Sequence, residues 1–186
     1  KLARRLMAFV VHETLHAVLT DMGTARESYI YGALNLVGIS VELPMMARLA
    51  SLQNTLEDFY IEYVGCNPKR PIITNAATIL GALNDELYAD AAPAHPDPVG
   101  AANNYIMRTI NRAGRQETPM LDANPPATVD PAVKALVDAA CDALVAMADA
   151  AGTVRTGDRS RSASSERLAL AAKLLVDLLA LHSHFY

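Results

Sequence analysis

The chain has 186 residues with a formal net charge of −4, and 52% of them are hydrophobic, which is enough for one domain with a substantial core. Trp is absent and aromatic residues make up only 5%, so the core is expected to consist of Ala, Leu, Val, Ile and Met, a set that favours helix. The acidic balance without a dense Lys/Arg cluster argues against nucleic acid as a partner, and the lack of a long apolar run argues against a membrane span.

Helical periodicity dominates the first half of the chain. It predicts a helix over residues 2–22 that ends at Gly23. Residues 24–41 are ambiguous, because they fit either a helix or short extended pieces. A long helix is predicted over residues 42–64, with Pro44 in its first turn and Gly65 at its end, and a third over residues 72–88.

The second half continues the helical pattern after a Pro-rich loop. A helix follows near residue 98, a second Pro-rich loop precedes an Ala-rich helix over residues 131–151, and the last helix covers residues 167–182. Residues near 152–165 are predicted to be a flexible linker. The sequence therefore predicts a mainly α-helical fold in a single domain, residues 1–186, and its opening inside a helical pattern indicates elements upstream of Lys1. Two cysteines without a disulfide framework indicate a reducing, cytoplasmic setting.

The segment "FVVHETLHAVLTDM" in the first helix contains an H-E-x-x-H motif. Nearly every direction around this helix is apolar between Leu6 and Leu19, so we expect it to be buried on most sides. His12 and His16 lie one turn apart on the same face, and this spacing lets both imidazoles bind one Zn²⁺. Glu13 points to the side, where it is placed to contact a water molecule at the metal.

A catalytic zinc site needs a third ligand, and the predicted helix over residues 42–64 offers several carboxylates. Glu57 falls on the apolar stripe of that helix, where a carboxylate is costly unless it is paired or bound to metal, so it is the preferred third ligand. The polar side of the same helix is predicted to face solvent, and its residues are Arg48, Ser51, Thr55, Asp58 and Glu62. Asp58 and Glu62 remain alternative ligands.

Two residues near Glu57 are candidates for supporting the site. Asn54 lies one turn before Glu57 and is placed to contact a ligand. Asp58 stands at the edge of the polar face, where it either orients a zinc-bound histidine through the free N–H of its ring or is solvated.

The stretches "HETLHAVLTD", "NTLEDFYIEYVG" and "TNAATIL" resemble two related groups of proteins over roughly residues 8–82. The motif helix followed by a helix with glutamate is similar to gluzincin zinc peptidases. More narrowly, the stretches resemble the N-terminal region of cobaltochelatase CobT-subunit-like proteins and metallopeptidase-like domains beside von Willebrand factor A domains. The resemblance implies a metal site of His12, His16 and Glu57 with Glu13 as general base, and an assembly with an AAA+ ATPase.

Together these patterns predict a zinc-dependent peptidase-like domain that hydrolyses a peptide or protein substrate. The alternative is a non-catalytic CobT-like scaffold, in which the same pocket holds a structural metal or none. In that case the C-terminal helices bind an AAA+ ATPase or a von Willebrand A domain.

Overall fold

The computed structural model describes residues 2–21, 27–69, 72–88, 97–109, 116, 118–119, 129–150 and 161–182. Within these ranges the regular structure is α-helical and contains no strand, which confirms the predicted mainly α fold class. The helices are α1 (Leu2–Leu19), α2 (Glu27–Leu36), α3 (Leu43–Gly65), α4 (Ala76–Tyr88), α5 (Pro98–Thr109), α6 (Pro131–Ala150) and α7 (Arg161–His182).

Helix α3 lies at the centre of the fold, because all six of the other helices named above pack against it. Pro44 lies in its first turn, where a missing N–H costs nothing, and the N–H of Cys66 donates to Glu62 O at its end. Between residues 52 and 66, every side chain except that of Asn54 is buried. The second half of α3 therefore has almost no solvent face, and its polar side chains must find partners inside the protein.

Helix α1 packs mainly against α3 and α4, which cover one of its faces. The buried residues on that face are Ala8, Val11, Leu15 and Leu19. The opposite face, which includes Leu6, Phe9 and Val10, is exposed. The prediction that α1 is buried on most sides is therefore wrong, since an all-apolar helix does not reveal how many neighbours cover it. His12 and His16 lie along the edge of the buried face.

The ambiguous segment and the predicted linker both contain helix. Helix α2 occupies Glu27–Leu36, and the turn after it contains Gly38, whose φ of +73° is readily adopted by glycine. Of the linker predicted at residues 152–165, residues 161–165 form the start of α7, and the remainder lies outside the described residues. None of the described helices combines the length and apolarity needed to cross a membrane.

Candidate metal centre

Three side chains from two helices converge on one point between α1 and α3. Asp58 Oδ1 lies 2.9 Å from His16 Nε2 and 3.3 Å from His12 Nε2. The two imidazoles meet edge to face, with ring centroids 4.8 Å apart. The three potential ligand atoms all lie within 4.8 Å of one another, so one ion can contact all of them.

This convergence depends on the spacing within α1 and on the close approach of α1 to α3. His12 and His16 share a face because they are four residues apart on a helix. Gly65 on α3 faces Leu15, and a Cβ atom at position 65 would lie 2.5 Å from Leu15 Cδ1. The absence of a side chain at Gly65 therefore lets the two helices approach closely one turn beyond Glu62.

The donor set fits a zinc ion. Zinc bonds of about 2.0–2.1 Å in a tetrahedral arrangement place neighbouring ligand atoms roughly 3.3 Å apart. The two distances from Asp58 Oδ1 to the histidine Nε2 atoms, 2.9 and 3.3 Å, lie close to that value. Two imidazoles and a carboxylate make a three-ligand set that leaves a fourth position for water or substrate, as in catalytic zinc sites.

The outer nitrogen of each ring also has a partner, as metal-binding histidines require. His12 Nδ1 lies 3.1 Å from Glu62 Oε1, and His16 Nδ1 lies 3.3 Å from Thr20 Oγ1. Both rings are thus oriented with Nε2 toward Asp58. The residues that would hold the metal are His12, His16 and Asp58.

Glu62 is the most enclosed carboxylate of the centre, with only 3% of its surface exposed. Its Oε2 atom accepts hydrogen bonds from Asn84 Nδ2 and from Gln116 Nε2, both at 2.7 Å. Its Oε1 atom faces His12. Glu62 therefore supports the centre from behind His12 and is not the surface residue that the sequence suggested.

The charges in the centre depend on one another. Burial lowers the pKa of His12, but hydrogen bonds to Asp58 and Glu62 outweigh burial and raise that pKa to about 10. Burial raises the pKa of Asp58, but hydrogen bonds from His12 and His16 reverse the effect and lower it. Burial together with the charges of Glu62 and Asp58 raises the pKa of Tyr88 to about 12. The centre is thus an acidic pocket that favours a cation.

Glu57, the preferred third ligand from the sequence, points away from the two histidine Nε2 atoms. Its Oε2 accepts from Arg167 Nε and its Oε1 from Arg167 Nη2, each at 2.7 Å. Oε1 also accepts from Thr20 Oγ1 at 2.6 Å. The prediction that Glu57 faces the histidines is therefore wrong, and Asp58, which was kept as an alternative, is the carboxylate beside them.

The error has a physical cause in the position of α3. The sequence predicts that the polar arc of this helix, which includes Asp58 and Glu62, faces solvent. Because α3 is central, Asp58 and Glu62 instead face α1 and α4 inside the protein, and Glu57 faces α7. Arg167 lies on the buried stripe of α7, where a cation is costly unless it is paired. The cost of burying an unpaired charge, which points to Glu57 on α3, therefore also points to Arg167 on α7 as its partner.

The sequence also predicts that Asn54 and Glu13 belong to the site. Asn54 Nδ2 donates to Asp58 Oδ2 at 3.2 Å, whereas the sequence places Asn54 beside Glu57, and its role in supporting a metal ligand stays a prediction. Glu13 is exposed on α1, one residue after His12. Its role as a base stays a prediction. Thr20, just past the end of α1, is a contact of His16 that the H-E-x-x-H motif does not include, and its spacing of four residues from His16 is the sequence signal for it.

No known family model matches the chain, and no curated protein and no solved structure matches it either. The function is therefore inferred from the geometry of the centre.

Proposed function

We propose that this protein binds one Zn²⁺ through His12, His16 and Asp58 and uses it to hydrolyse peptide bonds. The observation that carries the proposal is the convergence of two histidine Nε2 atoms on Asp58 Oδ1, with each Nδ1 atom held by an outer partner. When bound, zinc supplies Lewis-acid chemistry: it makes water nucleophilic near neutral pH and polarises a carbonyl group.

The residues of the chain would divide the remaining work. Asp58 and the two imidazoles hold the metal, and Glu62 orients His12 from behind. Glu13, exposed beside His12, would take the proton from the attacking water and deliver it to the leaving amine. The His12 side chain is 18% exposed, so solvent reaches the centre on this side, where we propose that a peptide or protein substrate binds.

The alternative function is a non-catalytic scaffold whose partner is an AAA+ ATPase or a von Willebrand A domain. One observation supports it. The polar groups of the centre satisfy one another, because His12 lies between Asp58 and Glu62. Such a network can stabilise a fold with a structural metal or with none.

For either function we propose a reducing, cytoplasmic setting, since Cys66 and Cys141 are buried free thiols.

Zinc titration of metal-stripped protein, followed by competition with a chromophoric chelator, tests the metal site. We expect about one Zn²⁺ per chain, as for a single three-ligand site. Asp58→Ala should lose most of this binding, whereas Asp142→Ala, the same change at an exposed position of α6, should leave it intact. Equal zinc binding by the two variants, or no binding by the parent protein, would contradict the proposed site.

A second measurement separates the enzyme from the scaffold. Glu13→Gln preserves the size of the side chain and removes the base, so it should retain zinc and lose hydrolysis of any peptide that the parent cleaves. Cleavage at the parental rate by Glu13→Gln would rule out the assigned base. A zinc-loaded parent that cleaves nothing in a broad peptide library would favour the scaffold.

A further inference from the structure

A buried chain of polar contacts connects α7 to the candidate metal centre through Glu57. Arg167 binds both oxygens of Glu57, and the two side chains are only 3% and 7% exposed. Arg167 Nη2 also donates to Leu19 O at 3.2 Å and to Ser164 Oγ at 3.1 Å. Its guanidinium carbon lies 4.2 Å from the centroid of the Tyr60 ring. Arg167 is thus held from several sides, and it fixes the direction of the Glu57 carboxylate.

Thr20 connects this ion pair to His16. Its hydroxyl donates to Glu57 Oε1 at 2.6 Å, since a carboxylate paired with arginine can only accept. With that hydrogen committed to Glu57, the Thr20 oxygen can only accept from His16 Nδ1, which lies 3.3 Å away. Nδ1 must then carry a hydrogen, so Nε2, the atom that faces Asp58, is the ring nitrogen left to bind a metal.

We infer that Arg167, Glu57 and Thr20 are positioning residues that fix the tautomer and orientation of His16 for metal binding. The inference rests on the proposed zinc site. It gives the buried ion pair a role beyond joining α3 to α7, because the Thr20 hydroxyl connects Glu57 to His16. Outer partners of this kind typically contribute 10–100-fold to metal affinity.

The sharpest test removes the Thr20 hydroxyl and leaves the ion pair in place. Thr20→Val is nearly isosteric, and the matched control is Thr55→Val. Thr20 and Thr55 are 5% and 7% exposed, but the Thr55 hydroxyl donates to the backbone oxygen of Ser51, outside this chain of contacts. Thr20→Ser keeps the hydroxyl and should restore the parental behaviour. Circular dichroism confirms that each variant is folded.

Two readouts are needed. Zinc affinity, measured by chelator competition, should fall about 10–100-fold in Thr20→Val and stay near the parental value in Thr55→Val and Thr20→Ser. In metal-free protein, ¹⁵N NMR of the histidine rings should show a hydrogen on His16 Nδ1, because the Thr20 oxygen can only accept. Thr20→Val removes that acceptor and should lower the fraction of His16 rings that carry a hydrogen on Nδ1.

The outcomes separate this inference from the proposed function. If the parent binds zinc, the inference is overturned when either the affinity or the fraction of His16 rings with a hydrogen on Nδ1 is unchanged in Thr20→Val, or when Thr20→Ser fails to restore them. If the parent binds no zinc, the proposed function fails. The Nδ1 signal of the metal-free protein then decides alone whether Thr20 orders His16.

Discussion

Gly65 is the position where a single added carbon should reveal how tightly α1 and α3 are packed. In Gly65→Ala the new Cβ would lie 2.5 Å from Leu15 Cδ1 and 2.6 Å from Leu15 Cδ2, well inside the roughly 3.5–4.0 Å of a normal carbon contact. Leu15 is fully buried, so its methyl groups cannot move without displacing neighbouring core residues. Overpacking of this kind costs about 1–3 kcal/mol of the free energy of unfolding.

Gly32→Ala is the matched control for that substitution. Gly32 lies inside α2, and no heavy atom lies within 4 Å of a Cβ built there. Alanine in an unobstructed helix interior is more favourable than glycine by about 0.5–1 kcal/mol. Gly65 is the last residue of α3, so it gains less from helix propensity. The same substitution should therefore stabilise the protein at position 32 and destabilise it at position 65.

Urea unfolding followed by circular dichroism measures both free energies in one series. Replacing Leu15 with alanine in the Gly65→Ala background removes the obstructing methyl groups. The double variant should therefore lose less than the sum of the two single losses. If Gly65→Ala is as stable as Gly32→Ala, or if the two substitutions at positions 15 and 65 are additive, the close contact between α1 and α3 is not the cause.

Two further predictions concern the charges of the centre. Because the pKa of His12 rises from 6.5 to about 10 on folding, its contribution to stability is complete below pH 6.5 and is lost as the pH rises toward about 10. In metal-free protein, urea unfolding from pH 6 to 10 should show a decline of a few kcal/mol that His12→Gln largely removes, and a flat parental curve would contradict it. Glu62→Ala should cost about 1–3 kcal/mol, because Asn84 Nδ2 and Gln116 Nε2 both lose their hydrogen bond to a charged acceptor, whereas a loss within about 0.5 kcal/mol would mean that Glu62 behaves as a surface residue.

Local features of the sequence predicted most of the helices. Residues 42–64 were predicted for a helix that occupies Leu43–Gly65, and residues 131–151 for one that occupies Pro131–Ala150. Proline and glycine mark these ends, and both act through their own backbone preferences. Helix α7 was predicted to begin at residue 167 but begins at Arg161, because serines and arginines allow either a linker or a first helical turn.

In the candidate site, too, the sequence predicts what depends on one helix and not what depends on contacts between helices. His12 and His16 are neighbours through helix geometry alone, so their pairing followed from spacing. The choice between Glu57 and Asp58 depended on which helix lies on each side of α3. That arrangement is set by contacts between distant parts of the chain, which periodicity within one helix does not encode. A glutamate on the apolar stripe of α3 and an arginine on the apolar stripe of α7 together predict an ion pair between Glu57 and Arg167. Neither helix predicts it alone.

The ion pair between Glu57 and Arg167 has a consequence for the order in which the protein can fold. The two residues are 110 positions apart, so a growing chain completes α1 to α6 before the arginine exists. Until then, Glu57 must stay hydrated, because a carboxylate without its cationic partner is costly in a closed core. The central helix therefore cannot bury this side in its final form before α7 has been synthesised. A ribosome-bound chain that ends before residue 161 should remain open around Glu57, and closure of the core should wait for α7.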